Sequence, residues 1–228
     1  MGTLAPEQVT LLTDYDIDSA YSMAYHTVYN NLRLNWGNAQ TKPYAVLLAS
    51  PAAYTGRAAA PTNVAIAAAQ SGTPTLLVDA DLHTPGIQQR FGMGEHSGLS
   101  ELLREEVITV QTLSSHISKT FIPDLYLLSA GAALHQPYEI SRLFATKLAT
   151  VVAALRQFLH ETAGRPGMII FHSPPVLTGS DASLISACVD QTFLLIASGR
   201  TTRTQARKAQ EQFQRAHAIL AGVILLDV

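Results

Sequence analysis

Apolar residues fall along this chain in two alternating patterns. Short, nearly continuous apolar runs occupy 44–50, 75–79, 125–129, 168–172, 192–197 and 219–226. Between them lie stretches with helical spacing, at 61–71, 98–106, 138–160, 181–187 and 202–217. Runs without polar alternation fit strands covered on both faces, so they predict a parallel sheet between layers of helix. The β–α alternation predicts an α/β fold, a doubly wound and mostly parallel sheet with helices on both faces. A further helix is predicted over 16–36, with Tyr21, Tyr25, Val28, Tyr29 and Leu32 on one face. Residues 1–14 read as a loose arm. The expected organisation is an arm and helix over 1–36 and one domain over 37–228. No repeat, low-complexity tract or linker divides it.

In sheets of this kind ligands bind at the carboxyl ends of the strands. Three chain-distant segments fall there: the loop after the first run, the pair Asp79 and Asp81, and His172-Ser-Pro-Pro175. They are expected to meet in one crevice. The stretch 49–63, ASPAAYTGRAAAPTN, stands between a strand and a small-residue helix, where a phosphate-binding loop would be. Such a loop uses glycines so that backbone amides can wrap a phosphate. A lysine neutralises its oxygens and a Ser or Thr hydroxyl holds Mg²⁺. This stretch offers Gly56 and Arg57 and no lysine. Pro61 restricts where the helix begins, because inside a helix it would clash with the carbonyl of Arg57. A start at Pro61 removes that clash and is the expected one.

Composition narrows the classes. A chain of 228 residues is one domain by prior. With 47% hydrophobic and 14% charged residues it is expected to be compact. A net charge of -2 predicts no general attraction to nucleic acid or anionic lipid. A single cysteine, Cys188, excludes an internal disulfide and reads as a small core residue. No apolar run reaches the ~18 residues of a membrane span, and Met1 is not followed by a signal peptide. A cytoplasmic protein is expected, either whole or cut from a longer one, and open to recruitment to the inner membrane by a partner.

Six segments in order resemble the cytoplasmic domain of bacterial tyrosine kinases, within the wider deviant P-loop ATPase group. They are AYHTVYNNLRLNW, the ASPAAYTGRAAAPTNVAIA loop, LLVDADLHTPGIQQRFG with GLSELL, LYLLSAGAALHQPYEISRL, MIIFHSPPVLTGSDASLI, and the final FLLIASGRTTRTQARKAQ to LAGVILLDV. The resemblance implies a P-loop NTPase-like fold. It also implies a setting in capsule or exopolysaccharide assembly, with a membrane polysaccharide co-polymerase or another assembly protein as partner, in homo- or hetero-oligomers.

The same resemblance locates the departures. The family's loop glycine falls on Tyr54, its lysine on Arg57 and its hydroxyl pair on Ala58 and Ala59, while Gly56 is kept. Alanine cannot coordinate magnesium, and a guanidinium fork does not replace a lysine point charge. Asp79 and Asp81 survive; in the family they hold the metal-water shell and help deprotonate the attacking tyrosine. The family's arginine after them is His83, its third acid is His172, and its adenine-contacting asparagine is Leu226. A neutral imidazole does not supply the charge that holds hydrated Mg²⁺. The family's ring-forming Glu and two Arg on the first helix read Met23, His26 and Tyr29. Its tyrosine-rich tail has no counterpart before Val228, and the last tyrosine is Tyr138. The resemblance therefore implies a degenerate domain with a remnant pocket of Gly56, Arg57, Asp79 and Asp81 and no expected cofactor, with ATP or ADP and Mg²⁺ left open as the alternative.

Plainer readings stand beside these. Asp79 and Asp81 also fit solvated acids at a strand end, or weak metal ligands. His83 and His172 could join them around zinc, although no His-x-His spacing supports it. Tyr21, Tyr25 and Tyr29 fit either core packing or an interface. Thr201, Thr202 and Arg203 read as a helix cap. Four functions remain open: an inactive kinase-like domain acting by protein contact, a weakly active tyrosine kinase or ATPase, a partition-type nucleotide switch, and a purely structural subunit.

Overall fold

The computed structural model describes residues 11–36, 42–94 and 96–227. Seven strands form one sheet: β1 (Tyr44–Ala49), β2 (Thr75–Asp79), β3 (Ile117–Lys119), β4 (Leu125–Leu128), β5 (Met168–His172), β6 (Gln191–Ala197) and β7 (Leu220–Leu226). Their order is β3-β4-β2-β5-β1-β6-β7, parallel throughout except for the β3–β4 pair. Eight helices complete the described chain: α1 (Ala20–Trp36), α2 (Ala59–Gln70), α3 (Ile87–Arg90), α4 (Leu99–Leu102), α5 (Val110–Ser114), α6 (Pro137–Ala163), α7 (Asp181–Ser186) and α8 (Arg203–Arg215).

Successive strand residues point to opposite faces, and the core divides accordingly. Ala45, Leu47, Ala49, Leu76, Val78, Ile169 and Phe171 face a layer built on α6, α7 and α8. Val46, Leu48, Leu77, Met168 and Ile170 face α1 and α2. Each helix meets its sheet face through a different chemistry. In α2 a run of alanines, Ala65 and Ala67–Ala69, is almost wholly buried and allows close approach to the sheet. In α6 a longer apolar stripe from Ile140 to Leu159 does the covering, with Pro137 at its first position and Gly164 ending it at φ 63°. Thr202 caps α8, its hydroxyl accepting from the Gln205 amide at 3.2 Å. Cys188 packs against the core as a half-buried thiol. No described helix is long and apolar enough to cross a membrane.

Three expectations need correction. Residues 11–14 do not trail as an arm: Leu11 and Leu12 are buried, and a 3-10 turn at Leu12–Asp14 is held by the Leu12 amide donating to Asn63 Oδ1 at 3.0 Å. Residues 1–10 lie outside the described residues. The first long helix starts at Ala20 rather than at 16, after a turn closed by the Ser19 amide on the Asp16 carbonyl. α2 starts at Ala59, two residues before Pro61, and not at Gly56. Pro61 then occupies the third helical position. Its missing N–H falls among the donors a first turn leaves unpaired anyway, and the first bond of the turn is made by Thr62 to Ala58 at 3.2 Å.

Candidate functional site

Because β1, β5 and β2 are neighbours, their carboxyl ends bring the three expected segments into one crevice. The loop after β1 turns at Gly56, whose φ of 85° suits glycine. The Ala59 amide is spent on the Gly56 carbonyl at 2.8 Å. Tyr54 is half-buried, and its hydroxyl lies 3.5 Å from Ser50 Oγ, so the ring folds back over the loop that carries it. Burial raises the Tyr54 pKa above its ordinary value.

The two carboxylates are both buried, each 1% exposed. Asp79 Oδ1 accepts from the Asp81 amide at 3.2 Å, and Oδ2 accepts from the Gly86 and Ile87 amides at 3.2 and 3.1 Å. Burial outweighs those bonds and pushes its pKa up to about 6. Asp81 Oδ1 accepts from the amides of His83 and Thr84 at 3.2 and 3.0 Å. Asp81 Oδ2 takes the Thr84 hydroxyl at 3.0 Å and an ion pair with Arg57 Nη2, which also reaches Thr84 Oγ1. Arg57, expected as a phosphate contact, is thus committed to the surviving acid. Gly56 and Arg57 line a cavity of about 380 Å³ together with Gly86, Arg90 and His172. Arg57 and Asp81 also border a second cavity of about 610 Å³ beside Pro174 and Pro175. Asp79 lines neither cavity and lies beneath the first through its bonds to residues 86 and 87.

The histidines part company. His83 turns to Asp181, Nε2 to Oδ2 at 2.8 Å, and Ser141 donates to the other Asp181 oxygen at 3.0 Å. His172 pairs in register with Asp79 across β5 and β2 and is 4% exposed. Burial pushes its pKa down to about 4 against the opposing charge of Asp81, with Arg57 and Arg90 adding to the fall, so its ring is neutral at pH 7. The zinc reading therefore loses its geometry: among the described residues no three His, Cys, Asp or Glu side chains are arranged to hold a metal.

The tyrosines of α1 behave differently from one another. Tyr29 is fully buried and shares a 2.5 Å hydrogen bond with Thr73, so it belongs to the core and not to an interface. Tyr21 is half-buried, accepts from Asn63 Nδ2 at 3.0 Å, and lies between a tilted Tyr15 ring and an edge-on Tyr25 ring, with centroids 4.2 and 5.1 Å away. Tyr21 and Tyr25 keep part of their surface open. Leu226 is half-buried against the core. Sequence reasoning missed Arg90, which reaches the cavity from the single turn of α3. A four-residue helix shows no apolar period, and the only hint was Pro85-Gly86 just before it.

No family model matches the chain. It is 28% identical over 207 residues to the tyrosine-protein kinase YwqD of Bacillus subtilis (strain 168), covering 91% of this chain and 81% of that protein. It is 26% identical over 207 residues to CapB, a putative tyrosine-protein kinase of Staphylococcus aureus, covering 91% and 84%. Among solved structures it resembles the chimerical protein CapA2B2, with TM-score 0.78 and 25% identity, covering 94% of this chain and 88% of that one. With its P-loop-type sheet order and a crevice at the ends of β1, β2 and β5, the chain is a homologue of the bacterial tyrosine kinases and corresponds to their cytoplasmic domain.

Proposed function

We propose that this domain has lost phosphoryl transfer and acts by protein contact in the assembly of capsule or exopolysaccharide, alongside a membrane co-polymerase. The observation that supports it most is the state of the two acids. The oxygens of Asp79 and Asp81 are already spent on backbone amides, the Thr84 hydroxyl and Arg57. A Mg²⁺ shell needs such oxygens free and charged. Burial also raises the Asp79 pKa to about 6, and the third position of the site is a neutral His172. Ala58 and Ala59 bring no hydroxyl to the start of α2. The residues present therefore do not fit Mg²⁺–ATP. Half-open Tyr21 and Tyr25 on α1 are the proposed contact residues for a partner.

Calorimetric titration with ATP and ADP, with and without Mg²⁺, tests the reading. No metal-dependent binding and no transfer of labelled phosphate to the domain or to an added co-polymerase segment are expected. Mg²⁺-dependent ATP turnover that Arg57→Ala abolishes would instead establish the weakly active enzyme. Nucleotide-dependent dimerisation would establish the partition-type switch.

A further inference from the structure

A second group of reactive side chains lies outside the crevice. Ser97, in the loop before α4, shares a 2.5 Å hydrogen bond with His116 Nδ1. The other ring nitrogen faces Glu105, with Nε2 and Oε1 3.9 Å apart. His116 is buried between α5 and β3, whereas Ser97 is exposed and Glu105 is open to solvent. A carboxylate on the Nε2 side favours the tautomer that carries its proton there, which leaves Nδ1 to accept from the serine hydroxyl. Nucleophile, base and carboxylate thus stand in the order that activates a serine in hydrolases of unrelated folds. The three segments are also held in place. Gly98, next to Ser97, packs so closely on the chain after β4 that a Cβ would stand 2.2 Å from the Ser129 carbonyl oxygen. Lys147 Nζ donates to the Glu105 carbonyl, and the His116 amide donates to the Leu113 carbonyl at 3.0 Å.

We propose that Ser97 is the nucleophile of an ester-cleaving site, with His116 as its base and Glu105 positioning the ring. A histidine satisfied by a surface hydroxyl needs no space beside it, but Ser97 borders a cavity of about 620 Å³, in the range of small-molecule sites. Gln88, Gln89, Glu101 and His135 line the same cavity. The Glu101 carboxylate disfavours an anionic guest, and the polar wall suits hydroxyl groups better than an alkyl chain. The substrate class is therefore a neutral, short acyl ester of a hydroxylated alcohol. Ser97 Oγ bonds to the carbonyl carbon as its proton passes to His116 Nδ1. The ester C–O bond then breaks, and the departing alkoxide takes that proton and leaves as the alcohol. Water attacks the acyl-serine through the same base, releasing the carboxylic acid and restoring the Ser97 hydroxyl. The exposed Gln89 carboxamide is the donor available to the oxyanion. α3 stands between this cavity and the crevice, with Gln89 bordering both. The site does not rest on the proposed loss of phosphoryl transfer, and either reading can fail alone.

The test treats the full chain, in EDTA, with a fluorophosphonate probe and with p-nitrophenyl acetate. The probe should add once, at Ser97 by peptide mass mapping, and the ester should be turned over. Ser97→Ala should abolish both, whereas Ser114→Ala, an exposed serine on α5, should change neither. His116→Gln should slow turnover about 100-fold or more. Should that buried substitution fold poorly, Glu105→Gln at the surface should lower kcat about 10-fold with KM unchanged, a split that a merely structural role would not produce. Labelling or turnover that survives Ser97→Ala, equal losses in the Ser97 and Ser114 variants, or no reaction with either reagent would overturn the proposal. Labelling at Ser97 without turnover would overturn the hydrolytic step.

Discussion

Replacing Asp79 by asparagine should uncover a pH dependence of stability that the wild-type chain conceals. Burial raises the Asp79 pKa from 3.8 to about 6. Its register partner His172 moves the other way, from 6.5 to about 4. The Asp79 contribution is fully present below its unfolded pKa of 3.8 and is lost as pH rises through about 6. The His172 contribution is present above 6.5 and is lost as pH falls through about 4. Between those limits the folded state binds one extra proton at Asp79 and one fewer at His172. Each imbalance gives a slope of about 1.4 kcal/mol per pH unit, with opposite signs, so the two cancel. Asp79→Asn leaves the His172 slope alone. Relative to wild type, its stability should climb by about 2–3 kcal/mol from pH 4 to 6. His172→Gln should show a fall of similar size. Urea midpoints taken across this window measure both, and only slopes relative to wild type are compared, because each substitution also carries a fixed cost. Parallel curves for all three proteins would refute the opposed burial of this acid and this base.

Other outcomes follow from the packing. A Cβ at Gly98 would stand 2.2 Å from the Ser129 carbonyl oxygen and 2.5 Å from the Gly131 nitrogen, so Gly98→Ala should cost on the order of 3 kcal/mol in urea denaturation. Asn63→Ala removes the acceptor for Leu12 and the donor to Tyr21; a loss of roughly 1–3 kcal/mol is expected, with faster hydrogen exchange at the Leu12 amide. Tyr29→Phe gives up only the Thr73 bond and should cost about 1 kcal/mol, while Tyr29→Ala should cost about 3–5 kcal/mol. If both Tyr29 variants unfold at the wild-type midpoint, the residue is not core.

Much of the sheet was legible because its strands are apolar on both faces. The runs at 75–79 and 168–172 match β2 and β5 residue for residue. β3 escaped notice: it is three residues long, half-exposed and contains Ser118 and Lys119, so it leaves no apolar run. α3 and α5 are too short to display a helical period. The boundary of α2 was misplaced because proline tolerates the third helical position as well as the first, and the sequence alone did not choose between them. In the site, Asp79, Asp81 and the loop were readable as residue types at strand ends. What the pattern could not carry was the partner of each donor: that Arg57 turns to Asp81, that His83 turns to Asp181, and that residues 86 and 87 cover Asp79. Those choices depend on side-chain directions across segments distant in the chain.

The placement of β1 also governs how the chain comes to be folded. Both of its neighbours lie far downstream, since Tyr44 pairs with Met168 and Val46 with Gln191. During synthesis the segment YAVLLA must therefore wait, with both hydrogen-bonding edges bare, until most of the chain has been made. An apolar strand in that condition is a template for pairing with other chains. Fragments ending before Met168 should accumulate as aggregates.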